Sequence, residues 1–252
     1  MLVDELRVAR ELCARAARVQ LESRPSPETI AAKPDGSPVT DVDRRCEEII
    51  VEGIERVFPD DGILGEETGE HAGQSGRQWV VDPLDGTRPY IRGIPTYSVL
   101  LALEDHGEPV VGVVHLPALG IECWASRGSG AFLNGERTRV SATTELGDAI
   151  GSALGFIERA DEPIAGRLLA MMRRWGYVYG FMDAYSYVAV ASGKLDLCVN
   201  LLDKSWDCAA GACIVSEAGG RFSDIEGRAS THNGTIVLSN GLLHETVLRS
   251  FA

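Results

Sequence analysis

From Leu2 to Glu22, apolar side chains return every three to four positions (Leu6, Ala9, Leu12, Cys13, Ala16) among charged ones. That spacing predicts a helix with one buried stripe. Ser23 to Pro38 holds four prolines and an Asp35-Gly36 step, which predicts a loop. Asp41 is placed to cap a second helix, whose apolar face runs through Cys46, Ile49, Ile50, Ile54, Val57 and Phe58 until Pro59-Asp60-Asp61-Gly62 breaks it. The period then changes. Short β-rich runs at Trp79 to Val81, Tyr97 to Leu103, Pro109 to Leu116 and Ile121 to Ala125 are separated by turn residues, and Asn134-Gly135 is a strong hairpin signal.

The second half alternates. Strands are predicted near Ala149 to Leu154, Tyr177 to Tyr179, Leu195 to Val199 and Ile236 to Leu238. Helices are predicted at Pro163 to Trp175, Asp183 to Ser192 and Asp207 to Ala218. Helices laid against mostly antiparallel and mixed sheets, an α/β class, are the expected architecture. A boundary near Val140 gives an N-terminal α+β subdomain, 1–140, and a C-terminal α/β subdomain, 141–252.

Composition narrows the class. The chain has 252 residues, 24% charged and 44% hydrophobic, which is globular rather than disordered or fibrous. Its formal net charge of -13 argues against nucleic acid as a partner, since phosphate-backbone binding rests on clustered Lys and Arg. No apolar run approaches the ~18 residues that span a bilayer, and charges within Met1 to Glu11 argue against a signal peptide. Six cysteines with no CxxC pair, each among apolar neighbours, predict buried thiols, a reducing compartment and hence a cytoplasmic location. Five histidines form no metal-binding spacing.

The candidate chemistry lies in carboxylates at the ends of apolar elements. Gly65-Glu66-Glu67 follows Ile63-Leu64, Asp82-Pro83-Leu84-Asp85-Gly86-Thr87 follows Trp79-Val80-Val81, and Asp207 follows Trp206. Hard divalent cations such as Mg²⁺ take oxygen ligands, mostly carboxylate and water. Around Pro83, Asp82 and Asp85 could converge while the Leu84 carbonyl points outward, and the turn at Gly86 and Thr87 could offer free N–H groups to a phosphate. Each feature also has a plainer reading: an acidic loop at Glu66, a turn cap at Asp82 and Asp85, a helix N-cap at Asp207. Their joint presence in this order favours the metal.

Those three stretches, extended by Trp206-Asp207-Cys208-Ala209-Ala210-Gly211 and Glu217-Ala218-Gly219-Gly220, resemble the inositol monophosphatase family of Mg²⁺-dependent, lithium-sensitive phosphomonoesterases. The resemblance runs from about Lys33 to Asn240 and implies the layered αβαβα fold of the sugar phosphatases. It further implies that Glu66, Asp82 and the Leu84 carbonyl hold an activating metal, and that Asp82, Asp85 and Asp207 hold a second, with Glu66 facing a weaker third site. Thr87, hydrogen-bonded to Asp43, would help deprotonate an attacking water, with Glu67 nearby. Backbone N–H groups of Gly86, Thr87 and Arg88 would hold the phosphate, and a homodimer is implied.

Within the family, Lys33-Pro34-Asp35, Ser37 to Asp41, Gly76-Arg77-Gln78-Trp79 and Tyr90 to Pro95 look most like the histidinol-phosphate phosphatases. Asp183 matches an acidic position of that branch and could pair with a substrate ammonium, or could cap the helix that starts there. The chain departs from the family pattern at Pro89, at Phe181-Met182, where small residues are usual, and at Asn200, where a Glu is usual. Histidinol phosphate is thus the expected substrate, with inositol 1-phosphate or another sugar or nucleoside monophosphate as the alternative. A catalytically weak, ligand-binding relative is the reading of a different class.

Overall fold

The structure is a computed structural model that describes residues 2–23, 30–34, 36–180 and 183–251. Helix α1 (Val3–Glu22) buries the predicted stripe of Ala9, Leu12, Cys13 and Ala16. A two-residue hairpin, β1 (Ala31–Ala32) with β2 (Pro38–Val39), lies inside the segment expected to be loop. Helix α2 (Asp41–Val57) is capped by Thr40 rather than by Asp41. The Thr40 hydroxyl accepts from the Val42 N–H at 3.1 Å, while Asp43 takes the Thr40 N–H at 2.8 Å. Asp41, already helical, points to solvent.

The first large sheet is built from β3 (Gly62–Gly65), β4 (Gly69–His71), β5 (Arg77–Asp85), β6 (Ser98–Asp105), β7 (Glu108–Leu116), β8 (Ile121–Ser126), β9 (Gly130–Leu133) and β10 (Glu136–Arg137). Its order is β10-β9-β8-β7-β6-β5-β3-β4, antiparallel throughout except between β3 and β5. Asn134 and Gly135 link β9 to β10 with φ of 49° and 88°, the left-handed pair a two-residue hairpin turn requires.

The second sheet contains β11 (Ile150–Leu154), β12 (Tyr177–Tyr179), β13 (Leu197–Asn200), β14 (Arg221–Ser223) and β15 (Ile236–Ser239), in the order β12-β11-β13-β15-β14. Around it stand α4 (Pro163–Met172), α5 (Asp183–Ala191), α6 (Ser205–Glu217) and α7 (His244–Leu248), with α3 (Thr87–Arg92) beside β5. Helix α4 stops three residues before the predicted Trp175. Its last N–H groups shift to tighter bonds, Arg174 to Met171 and Trp175 to Met172.

Strand alternation sorts the core into layers. Trp79, Val81, Leu101 and Leu103 face α1 and α2, whereas Val80, Leu100, Ala102 and Val114 face α5 and α6. Cys198 and Leu238 of the second sheet cover the far side of α5 and α6, and Val199 and Val237 pack against α4 and α7. The result is helix, sheet, helix, sheet, helix, as expected. Helix α6 lies so close to β7 that a Cβ on Gly112 would come within 2.4 Å of the Ala210 carbonyl oxygen. That contact sets the N-terminus of α6, from the second half of the chain, beside the C-terminal end of β5 from the first.

Candidate active site

Asp82 and Asp85 are three residues apart on one strand, a spacing that ordinarily sends side chains to opposite faces. The register shows how they meet. Asp82 pairs with Leu100 and Asp85 with Ser98, so β5 spends one more residue than β6 across this interval, a bulge at Pro83-Leu84. Proline fits there because it has no ladder N–H to lose. The bulge is pinned from α1, where the buried Gln20 side chain donates to the Pro83 carbonyl at 2.9 Å and the Ser98 carbonyl at 3.3 Å. Asp82 accepts from the Leu84 N–H at 3.0 Å, and Asp85 from the Ser98 hydroxyl at 2.8 Å and the Ala184 N–H at 3.1 Å.

Asp207 arrives on the first turn of α6, where it accepts the Lys204 N–H at 2.8 Å. It thus satisfies a helix terminus and still joins the cluster, since one oxygen from each of Asp82, Asp85 and Asp207 lies within 4.8 Å of the other two. Opposite ligands of one Mg²⁺ stand ~4.2 Å apart. The three oxygens are therefore near ligand spacing. Asp82 is buried, while Asp85 and Asp207 keep part of their surface open to a cavity.

Burial comes first among the causes that push all three carboxyls well above the ordinary range. The charges of Glu66, Asp85 and Asp207 add to it at Asp82, those of Asp183 and Asp207 at Asp85, and those of Asp203 and Glu66 at Asp207. Among the described residues no ammonium or guanidinium bonds any of the three. A buried, mutually repelling carboxylate set that lacks a counter-charge needs protons or a cation. The donor set fits a hard divalent ion.

Glu66 stands beside this cluster and is held by Lys33. The Lys33 ammonium lies 2.6 Å from Glu66 and 2.5 Å from Glu67. Burial works against that ammonium, but the two carboxylates outweigh it and raise its pKa. The Glu67 carboxyl is nonetheless pushed up, chiefly by burial. The loop itself is fixed from α2, where the buried Glu47 carboxylate takes the Glu67 and Thr68 N–H groups at 3.0 and 2.7 Å.

Thr87 begins α3 immediately after Gly86, whose φ of 77° is left-handed. Its hydroxyl has two acceptors in reach, Asp43 Oδ1 at 3.2 Å and the Leu84 carbonyl at 3.1 Å. Asp43 Oδ2 is meanwhile committed to the cap of α2. Gly86 and Arg88 flank Thr87 at the start of the same short helix.

Beyond the cluster opens a cavity of about 280 Å³ whose lining includes Asp85, Gly155, Glu158, Asp183, Asn200, Asp203 and Asp207. Asp183 is the first residue of α5; the Ala184 N–H beside it goes to Asp85, and among the described residues Asp183 Oδ2 is buried without a hydrogen-bond partner. Asp183 also carries a left-handed φ of 40°, a costly conformation for a non-glycine residue. Asn200 uses its Oδ1 to accept the Leu202 N–H at 3.1 Å. Phe181 and Met182 lie outside the described residues. A larger groove, about 530 Å³, runs along α1, but Arg10 and Glu122 within it are bonded to each other and no carboxylate cluster faces it.

Several residues here were not singled out as site residues from sequence. Gln20 and Glu47 had a legible signal, because each is a polar residue on the apolar stripe of its helix. Lys33, Tyr187 and Asp203 had none, since their roles depend on partners distant in the chain.

The inositol monophosphatase family model matches residues 2–252. A histidinol-phosphatase of Chlorobaculum parvum is 41% identical over 243 residues, covering 94% of this chain and 92% of that protein. A histidinol-phosphatase of Mycobacterium tuberculosis is 41% identical over 224 residues, covering 87% and 86%. Among solved structures, an IMPase of Thermotoga maritima superposes with a TM-score of 0.88 at 32% identity, covering 98% of this chain and 96% of that one. The chain belongs to the inositol monophosphatase family and is a metal-dependent phosphomonoesterase.

Proposed function

We propose that this member of the inositol monophosphatase family hydrolyses histidinol phosphate to histidinol and phosphate with Mg²⁺ at the Asp82, Asp85 and Asp207 cluster. The observation that carries the substrate is the cavity wall. Its described lining residues present five carboxylates, from Asp85, Glu158, Asp183, Asp203 and Asp207, and neither Lys nor Arg. Two of the five are metal ligands in this reading, which leaves three to face the organic part of the substrate. A neutral polyol has no need of them, whereas an aminoalkyl group does. The names of the two histidinol-phosphatase relatives support the same choice.

Asp82, Asp85 and Asp207, with Glu66 and the Leu84 carbonyl, would hold two or three ions, and the Lys33 ammonium, now on Glu66 and Glu67, would then have to share those oxygens. Mg²⁺ bound there lowers the pKa of water and neutralises the departing alkoxide. The Thr87 hydroxyl would take a proton from the attacking water while passing its own to Asp43, with Glu67 as a nearby alternative acceptor. Gly86, Thr87 and Arg88 present backbone N–H groups to the phosphate oxygens. Asp183, with its unpartnered oxygen, pairs with the substrate ammonium.

Inhibition by Li⁺, a homodimer, two subdomains at 1–140 and 141–252, no nucleic-acid or membrane partner and a cytoplasmic location belong to the same reading. The six free, buried cysteines support a reducing compartment, and among the described residues no helix is long and apolar enough to cross a membrane.

The test is phosphate release with and without Mg²⁺ from histidinol phosphate, inositol 1-phosphate, a nucleoside monophosphate and glycerol 2-phosphate, with Asp207→Asn as the blank. Preference for histidinol phosphate is the expected result. Preference for inositol 1-phosphate or a nucleotide would overturn the substrate. Absence of Mg²⁺-dependent turnover on every ester would leave a ligand-binding relative.

A further inference from the structure

Asp203 is one of the least exposed charged residues in the molecule, at 2%. It is held from two sides. Its Oδ2 accepts the Tyr187 hydroxyl at 3.0 Å, from the buried face of α5, and its backbone N–H donates to the Gly234 carbonyl at 3.0 Å. The segment that carries it is closed tightly, because Asn200 Oδ1 takes the Leu202 N–H and a Cβ on Gly155 would meet the Leu202 nitrogen at 2.4 Å. A carboxylate fixed in this way has little freedom to turn towards water. Yet its second oxygen, Oδ1, is buried with no hydrogen-bond partner among the described residues, the Lys204 N–H and the like-charged Asp207 carboxyl are the carboxylate's neighbours, and the residue lines the same cavity as Asp85, Asp183 and Asp207.

A buried carboxylate oxygen without a donor is expensive to maintain, and folding alone offers no return for it. In a neighbouring environment of the same protein, buried Asp224 has every such need met by its own chain. The open valence of Asp203 is therefore directed at something that arrives. An ammonium carries three N–H donors, more than the single unpartnered oxygen of Asp183 can accept. Asp203 also stands one helical turn ahead of Asp207, in a chain whose Asp207 joins the metal cluster. That position suits a cation attached close to the ester oxygen rather than one at the far end of a long substrate.

We infer that Asp203, held by Tyr187, is a specificity-determining residue that accepts the ammonium of a 2-aminoalkyl phosphate monoester jointly with Asp183. The inference rests on the histidinol phosphate reading and narrows it: the recognised feature is the amine two carbons from the ester oxygen, not the imidazole.

The experiment compares histidinol phosphate with its desamino counterpart, 3-(imidazol-4-yl)propyl phosphate, and reads the ratio of kcat/KM between them. Using a ratio removes any general damage to folding or metal binding. The wild-type enzyme is expected to favour the amine, and Asp203→Asn to reduce that ratio by about 10- to 100-fold, the value of a charge-assisted hydrogen bond. Tyr187→Phe, which leaves the carboxylate but frees it, is expected to reduce the ratio by a smaller factor. A ratio unchanged in Asp203→Asn, whether or not both rates fall, overturns the role of Asp203 and leaves histidinol phosphate standing. A wild-type enzyme indifferent to the amine overturns this inference at once, and the panel above then shows separately whether histidinol phosphate is still preferred.

Discussion

Asp224 and Asp82 are buried to almost the same degree, at 1% and 2% exposure, and they are opposites. Asp224 accepts the Arg228 Nε at 2.6 Å, the Asn233 side chain at 2.7 Å and the Arg228 and Glu226 N–H groups at 2.8 and 2.9 Å. Burial alone would push its carboxyl up, but these donors outweigh it and hold the group below the ordinary range. Among the described residues Asp82 has one donor, the Leu84 N–H, and three like charges around it, so burial and repulsion together drive its carboxyl well above that range. The first arrangement closes a loop and strengthens the fold. The second weakens the fold in order to keep a place for a cation.

The largest effect that would test this contrast is on turnover. Asp207→Asn is expected to lower kcat by several orders of magnitude while leaving the melting temperature unchanged or raised, since it removes repulsion as well as a ligand. Near-normal turnover in that variant would end the assignment of the cluster as the metal centre. Thr87→Ala is expected to slow the chemical step by about 100-fold or more, with KM little changed, as for loss of a proton-transfer group. Single-turnover kinetics that show weakened binding and normal chemistry would contradict it.

On the other side of the comparison, Asp224→Asn is expected to cost about 2–3 kcal/mol of stability by chemical denaturation, with activity intact at low temperature. Lost activity in a folded Asp224→Asn protein would mean the two carboxylates are not as separate in role as their surroundings suggest. The smallest effect is a pH dependence. In ion-free protein Asp203, which burial raises to about 7, and the cluster carboxyls, which burial and mutual repulsion raise well above the ordinary range, hold protons that the unfolded chain has already released above about pH 4. The unfolded state then binds fewer protons, so stability falls as pH rises from that point through the folded-state values. Mg²⁺ would displace the protons of Asp82, Asp85 and Asp207, so the melting-temperature gain it gives should grow as pH rises from about 4 into the neutral range. A gain that shrinks with pH would remove the cluster as its source.

Much of this site was legible along the chain. The order Glu66, Asp82, Asp85, Asp207 at the ends of apolar runs pointed to a cation, because packing gives no reason for carboxylates there. Helix α1, helix α2 and the strands β6 to β8 follow their hydrophobic periods closely. Less visible were the contributions of partners. Asp41 was the plausible cap of α2, but Thr40 holds that place, since its hydroxyl reaches the Val42 N–H and Asp43 returns the bond. For Asp183 the sequence offers a cap or a substrate group, and that its neighbour's N–H, from Ala184, bonds Asp85 could not be read along the chain.

The sequence by itself determined the longer helices and the main strands, because periodicity is a local property, and its motifs, through the family they resemble, pointed to the layered fold and the kind of chemistry. The tertiary structure decided which oxygens remain free. A bulge that turns Asp82 and Asp85 to one side, a lysine from residue 33 on Glu66, and a tyrosine from α5 on Asp203 are all contacts between segments far apart in the chain. Whether a buried carboxylate is satisfied or waiting for a cation depends on donors within about 3 Å, and linear order does not record that distance.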